Sequence, residues 1–353
     1  MSEVRIPSQS AQTTKLLLES KRPEISEIEL TLFENCNIVC DFCFHDKKSQ
    51  VGLSKEEMFS KIPIMDEFLS RQQNRVKIAQ INVVGGELFQ DRWMERLNQD
   101  YYELLIETKK SFDKYNLKMK VVFVSNFLFK KKESVKELID KLRDYGIDTH
   151  LIVSYDFEGR PLSKSYWDNV TYFGPEYICS VNLVGTSGSI KKFIENKDNN
   201  FKYFYKNFNI FFDDFIPDNG SDDLIPSDRE FSQWYKYIAD NFPLIQPVAD
   251  LINNQNNSMH CLSLNKVTIF PDNKTSNCRW HRYKQTDFNT KLNLKDNSGM
   301  MQNFIDEMGC LQCEYFSRCG FRCFTQWDWK NRKRDMEICP MKSFFNHIEG
   351  KQD

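Results

Sequence analysis

The sequence predicts an α/β fold, a parallel sheet with helices, followed by a small cysteine-rich unit. Six apolar runs of strand length (28–33, 78–84, 119–124, 150–155, 178–184 and 209–212) recur down the chain, with helical periodicity between several of them. A parallel sheet with crossover helices reads this way. Chemically distinctive residues stand at or just beyond the C-terminal ends of the first four runs, where parallel α/β sheets gather functional groups. Seven of the eleven cysteines lie at or after position 261.

Taken in order, residues 1–27 are polar and read as a loose N-terminal arm. Ile28, Leu30 and Leu32 alternate with Glu29 and Thr31, the period of a strand. Ser54 with Glu57 three residues later is a capping box. It opens a helix with Met58, Ile62, Met65 and Leu69 on one face and Pro63 inside the pattern as a kink. A long amphipathic helix is predicted over Gln90–Tyr115, and another over Lys131–Tyr145 with Gly146 in the C′ position. Residues 213–229 are acidic and turn-rich (Pro217, Gly220, Pro226) and read as a solvated loop. Phe231–Ile238 reads as a helix, and the polar stretch 253–258 as a linker. The expected division is 1–27, 28–252 and 258–353.

A chain of 353 residues accommodates one large and one small domain. Its net charge of −2 provides no global field for nucleic acid or an anionic surface. Arg318–Arg334 mixes basic residues with Phe321, Phe324, Trp327 and Trp329, a composition that can bind nucleic acid but more often shows a solvated face; no nucleic-acid partner is expected. The N-terminus lacks an apolar export core, and no run approaches ~18 apolar residues, so no membrane association is expected. Cysteines clustered at short spacings without an export signal point to metal sites in a reducing compartment, the cytoplasm.

Cys36-Asn-Ile-Val-Cys40-Asp-Phe-Cys43 reads C-x₃-C-x₂-C directly after the first strand-like run. Thiolate is the ligand that iron–sulfur clusters select. Three thiolates on one loop can hold three irons of a cubane and leave the fourth open to a small molecule. The alternative is a zinc site that takes His45 as a further ligand. Gly85-Gly86-Glu87 follows the second strand, and glycine there lets the backbone approach a ligand closely. Near the C-terminus, Cys310, Cys313, Cys319 and Cys323 are spaced C-x₂-C-x₅-C-x₃-C. Cys261 and Cys278 precede them, with the turn-like Pro271-Asp272-Asn273 between, and Cys339 follows. Seven thiols exceed what one ion binds, and a zinc ribbon would use four and leave three; two iron–sulfur clusters are the expectation. Cys179, in an apolar strand, reads as a small buried hydrophobe.

These motifs resemble those of the radical S-adenosylmethionine enzymes that carry a C-terminal SPASM extension. Residues 28–215 are similar to the family's partial (βα)₆ TIM-like barrel, and 261–339 to the SPASM domain. The resemblance implies a [4Fe–4S] cluster on Cys36, Cys40 and Cys43, whose open iron binds the amino and carboxylate groups of S-adenosylmethionine. Phe42, Gly85, Gly86, Glu87, Ser125, Asn126 and Ser154 are then the expected cofactor contacts, with Glu87 facing the ammonium group. Two auxiliary [4Fe–4S] clusters are also implied: an outer one on Cys310, Cys313, Cys319 and Cys339, and an inner one on Cys261, Cys278 and Cys323. The family's fourth inner cysteine is absent, which leaves an open iron, His260 or a substrate atom for that position. For the basic residue that often follows the fourth strand, Arg160 and Lys164 are the candidates.

The implied activity is reductive cleavage of S-adenosylmethionine to a 5′-deoxyadenosyl radical. Hydrogen abstraction from a peptide or protein side chain follows, and then oxidation or cross-linking, as in maturation of ribosomally made peptides. A low-potential donor of flavodoxin or ferredoxin type is the implied electron source. Formylglycine formation of the sulfatase-maturase kind and small-molecule dehydrogenation are the alternatives. A plain electron carrier would need no Gly-Gly-Glu segment.

Overall fold

The computed structural model describes residues 25–43, 45–156, 162–195, 199–215, 222–253, 265–276, 305–306, 308–316, 318–319 and 338–352. Of the expected arm, residues 1–24 lie outside them while 25–27 belong to the first strand; residues 216–221 of the acidic stretch and the linker from residue 254 also lie outside. Eight strands form one sheet: β1 (Ile25–Thr31), β2 (Ile78–Val84), β3 (Lys118–Ser125), β4 (Asp148–Tyr155), β5 (Ile178–Gly185), β6 (Ile210–Asp214), β7 (Lys266–Ile269) and β8 (Thr275–Ser276). Their order is β6-β5-β4-β3-β2-β1-β7-β8. The first six are the runs read in the sequence, and each is parallel to the next.

The two remaining strands come from the stretch that the sequence assigns to the C-terminal unit. β7 pairs parallel with β1, Glu27 opposite Lys266 and Leu30 opposite Ile269. β8 returns antiparallel to it. Pro271-Asp272-Asn273 is the turn between them, closed by Phe270 N donating to Lys274 O at 2.9 Å. Part of residues 258–353 therefore completes the main sheet.

The ten helices among the described residues are α1 (Lys55–Phe59), α2 (Ile62–Gln72), α3 (Met94–Lys114), α4 (Lys132–Asp144), α5 (Lys164–Tyr177), α6 (Ser187–Ile194), α7 (Asn199–Asn207), α8 (Asp228–Asn241), α9 (Val248–Ile252) and α10 (Pro340–Ile348). The Ser54–Glu57 capping box forms as expected. The single kinked helix predicted after it is instead two helices, with Pro63 in the first turn of α2. A proline lacks the N–H that an interior position must donate, and the first turn has no use for it. The long predicted helix begins at Met94 rather than Gln90, because Gln90 and Arg92 are engaged with the cysteine loop. Gly146, at φ +84°, ends α4 in the left-handed conformation that a C′ residue needs.

The faces of the sheet differ. Leu30, Val83, Phe123 and Leu151 lie in register across β1–β4. Phe123 meets Tyr101 of α3 at 6.0 Å between ring centroids, so this face is the one the helices cover. The opposite, inner face carries a polar floor, with Glu27, Gln80, Lys120 and Asp148 in register. Lys266 Nζ bridges Glu27 at 3.4 Å and Glu29 at 3.3 Å. Glu29 and Thr31 are only 2% exposed. Their polar alternation marks a second buried face, not solvent.

Candidate metal centre

The cysteine loop is rooted where β1 leaves the sheet. Leu32 N donates to Val84 O at 3.1 Å, then Gly86 N to Phe33 O at 2.9 Å and Glu87 N to Asn35 O at 3.0 Å. The first strand and the Gly-Gly-Glu segment thus stay zipped together beyond the end of the sheet. A Cβ on Gly86 would lie 1.9 Å from Asn35 O, and one on Gly85 would lie 2.4 Å from Phe33 O. Both glycines are required by the chain's own backbone, where the sequence reading assigns that closeness to a ligand.

Beyond the root, Cys43 N donates to Cys40 O at 3.1 Å and Lys47 Nζ to the same oxygen at 3.2 Å. Cys36 N closes the loop onto Lys47 O at 3.4 Å. Cys40 is buried, and Cys36, Phe42 and Cys43 are half-buried. Burial pushes the Cys36 thiol up to about 11; the Ile38 backbone N–H pulls it down, and the nearby Glu87, Cys43 and Cys40 add smaller upward pushes. Three sulfur donors on one partly buried loop are the ligand type that iron–sulfur clusters select. The donor set therefore fits an iron–sulfur cluster. Among the described residues, no three His, Cys, Asp or Glu side chains gather round one ion position. His45, the candidate zinc ligand, has Nδ1 at 3.6 Å from Glu34 Oε1.

Glu87 is fully buried and is the fastening between two strand ends. Its carboxylate accepts from Ser125 Oγ at 2.8 Å, from Asn126 N at 2.7 Å and from Phe89 N at 2.9 Å. Ser125 Oγ in turn accepts from Phe127 N at 3.0 Å. Asn126 Nδ2 donates to Asn37 Oδ1 at 2.9 Å, and Asn37 Nδ2 to Leu128 O at 3.3 Å. Ser154 stands apart from this network, half-buried on the inner face, with Asn182 as its register partner on β5.

Residues beneath the loop that the sequence did not single out hold it in place. Gln90 Nε2 donates to Asn35 O at 3.0 Å, and Arg92 Nη2 to Asn35 Oδ1 at 2.6 Å. Asn35 Nδ2 reaches Ser49 O at 3.2 Å. The fully buried Lys61 donates to Pro271 O at 2.9 Å, Asn273 Oδ1 at 3.0 Å and Glu57 O at 3.2 Å. It fastens the β7–β8 turn to the helices that follow the cysteines. No motif marks these polar residues in a single sequence, because each acts through a partner far along the chain.

Of the C-terminal cysteines, Cys310, Cys313, Cys319 and Cys339 are described and half-buried. Burial raises the Cys339 thiol, and Cys313 lies close enough to oppose its ionisation. Cys339 stands at the start of α10, and Cys319 N donates to Tyr315 O at 2.8 Å. Tyr315 stacks on Phe345 of α10 at 5.0 Å, and Arg318 pairs with Glu349. The 308–319 segment and α10 are thus brought together, and with them these cysteines. Cys261, Cys278, Cys323, His260 and Arg160 lie outside the described residues. Lys164 is exposed at the first position of α5.

No helix among the described residues is long and apolar enough to cross a membrane. No family model matches the sequence, and no curated protein does. Among solved structures, the fold is similar to anSMEcpe with bound AdoMet in its hexahistidine-tagged form, at TM-score 0.63 and 15% identity, covering 92% of this chain and 97% of that one. The native form of anSMEcpe with bound AdoMet gives TM-score 0.62 and 15% identity over the same shares. The chain has the fold of the radical S-adenosylmethionine partial barrel.

Proposed function

We propose that this chain is a radical S-adenosylmethionine enzyme with a SPASM-type C-terminal region, acting on a peptide or protein side chain in the cytoplasm. The observation that carries the reading is the joining of Cys36, Cys40 and Cys43, on one loop, to Gly85-Gly86-Glu87 at the adjoining strand ends. The fold around them is similar across 92% of the chain to a protein solved with AdoMet bound.

In this reading Cys36, Cys40 and Cys43 hold three irons of a [4Fe–4S] cluster. Bound there, the cluster supplies the electron that splits S-adenosylmethionine into methionine and a 5′-deoxyadenosyl radical, which takes hydrogen from the substrate. Phe42, Gly85, Gly86, Ser125, Asn126 and Ser154 line the cofactor's place, and Glu87 holds that wall together from behind. Val84, Val124 and Ile152 form an apolar belt above the polar floor of the inner face, which keeps water from the reacting atoms. Cys310, Cys313, Cys319 and Cys339 would hold one auxiliary cluster and Cys261, Cys278 and Cys323 another, and such clusters would supply capacity to accept an electron. A flavodoxin- or ferredoxin-type donor supplies the first electron, and a ribosomally made precursor peptide is the substrate class.

The deciding assay is anaerobic formation of 5′-deoxyadenosine by reconstituted, reduced protein. Wild type should form it, and a variant with Cys36, Cys40 and Cys43 all changed to Ala should not. Equal formation by both would end this reading. Formylglycine formation is the second reading, favoured by the fold similarity to anSMEcpe, an anaerobic sulfatase-maturating enzyme. Incubation with Cys- or Ser-containing sulfatase peptides, followed by mass spectrometry for the aldehyde, separates it from precursor-peptide chemistry.

A further inference from the structure

We infer that Asn37 is a positioning residue that fixes Cys36 against the wall formed by the end of β3. The inference rests on reading Cys36, Cys40 and Cys43 as cluster ligands. Asn37 is exposed, so its placement is not imposed by packing. It is imposed by three hydrogen bonds. Cys36 Sγ donates to its Oδ1 at 3.8 Å, Asn126 Nδ2 donates to the same oxygen at 2.9 Å, and its own Nδ2 donates to Leu128 O at 3.3 Å. Asn126 is itself held by Glu87 through its backbone N–H at 2.7 Å, and its Oδ1 accepts from Leu128 N at 2.9 Å.

A continuous chain of contacts therefore runs from the first cysteine to the buried carboxylate of the Gly-Gly-Glu segment. The other anchors of the loop, Asn35 and the Cys40–Lys47 contact, act on its root and its far limb. Asn37 joins the cysteine limb to the neighbouring strand end. The two contacts of Asn37 to Asn126 and Leu128 do not involve the thiol. Its side chain stays with the wall, and the backbone of Cys36 stays with it. The distance between the cluster ligand and the cofactor wall is set in this way. Loss of Asn37 should loosen cofactor binding while leaving the thiols able to take up iron.

The test compares Asn37→Ala, Asn37→Asp and wild type as full-length, anaerobically reconstituted protein, with Cys36→Ala as reference. Iron content, S-adenosylmethionine affinity by equilibrium dialysis, and the electron paramagnetic resonance spectrum of reduced protein with and without S-adenosylmethionine are measured. Asn37→Ala should hold as much iron as wild type, bind S-adenosylmethionine about tenfold more weakly and show a diminished cofactor-induced spectral change. Asn37→Asp, which keeps the oxygen that Asn126 Nδ2 reaches but loses the donor to Leu128 O, should recover part of that change. Asn37→Ala with wild-type affinity and spectra overturns the inference. So does iron loss as large as that of Cys36→Ala, which would make Asn37 part of the loop's folding. If wild type itself shows no cofactor-induced spectral change, the proposed function falls, and the inference with it.

Discussion

The Ser125 hydroxyl donates to Glu87 Oε1 at 2.8 Å inside the protein, across 38 residues of sequence. Asn126 N takes the other oxygen, so the carboxylate clamps the end of β3 to the segment after β2. The position most suggestive of ligand recognition in the sequence is, in the fold, a mechanical joint.

Glu87→Ala should therefore destabilise the protein by about 3 kcal/mol or more, because three buried donors lose a charged acceptor. Glu87→Gln keeps the shape and one good acceptor and should cost roughly half as much. Urea unfolding measures both. A loss for Glu87→Ala within about 0.5 kcal/mol, typical of an exposed position, would contradict the clamp.

Gly86→Ala should separate backbone crowding from ordinary glycine effects. The added methyl would meet Asn35 O at 1.9 Å, so the cysteine loop must part from its neighbour. The variant should lose about one cluster's worth of iron. Gly146→Ala is the control: φ is +84° but nothing lies within 4 Å. It should cost about 1 kcal/mol through backbone strain and leave iron content unchanged.

Lys61→Met removes an ammonium with 0% exposure that donates to two carbonyl oxygens and Asn273 Oδ1. Those acceptors are left behind in the core, at a cost of about 2–3 kcal/mol. Amide hydrogen exchange should quicken in residues 266–276 well before it does in β2 and β3. Uniform acceleration across the sheet would deny Lys61 a specific hold on the turn.

The attachment of α10 should depend on pH. Lys351, and after it Arg318, hold the Glu349 carboxyl down from 4.5 to about 2. A carboxylate with a lowered folded-state pKa contributes stability that is complete above its unfolded value and disappears as pH falls through the folded one. The melting difference between wild type and Glu349→Gln should thus be constant above about pH 5 and vanish between about pH 4.5 and 2. A difference that persists at about pH 2 would show that these partners do not act through charge.

Metal content tests the ligand sets. Fully reconstituted wild type should hold roughly 12 irons, the total for three four-iron clusters. Cys339→Ala should lower that without abolishing 5′-deoxyadenosine formation, because Cys36, Cys40 and Cys43 remain. Saturation at about four irons, with zinc in the remainder, would remove the auxiliary clusters from the proposal.

The six parallel strands were legible because their apolar alternation is strong and their lengths ordinary. The cysteines and Gly-Gly-Glu were legible because their spacing is local. What escaped was whatever depends on distant partners. β7 has only four residues, too few for a pattern, and its partners, Glu27 and Glu29 beside Lys266 among them, lie far back in the sequence. Asn35, Asn37, Gln90, Arg92 and Lys61 look like ordinary surface residues until the fold brings their acceptors to them. The meaning of the two glycines was also hidden, since close approach to a ligand and close approach to Asn35 leave the same letters in a sequence.

The parallel pairing of β7 with β1 has a temporal side. More than two hundred residues separate Thr31 from Lys266, which at about 5–20 residues per second is on the order of 10 to 50 seconds of synthesis. Through that interval one border of β1 presents bare backbone donors and acceptors, the feature that invites pairing with other chains. The limb bearing Cys36, Cys40 and Cys43 hangs from that same strand. Residues 36–43 are thus synthesised long before the strand that covers this border of β1.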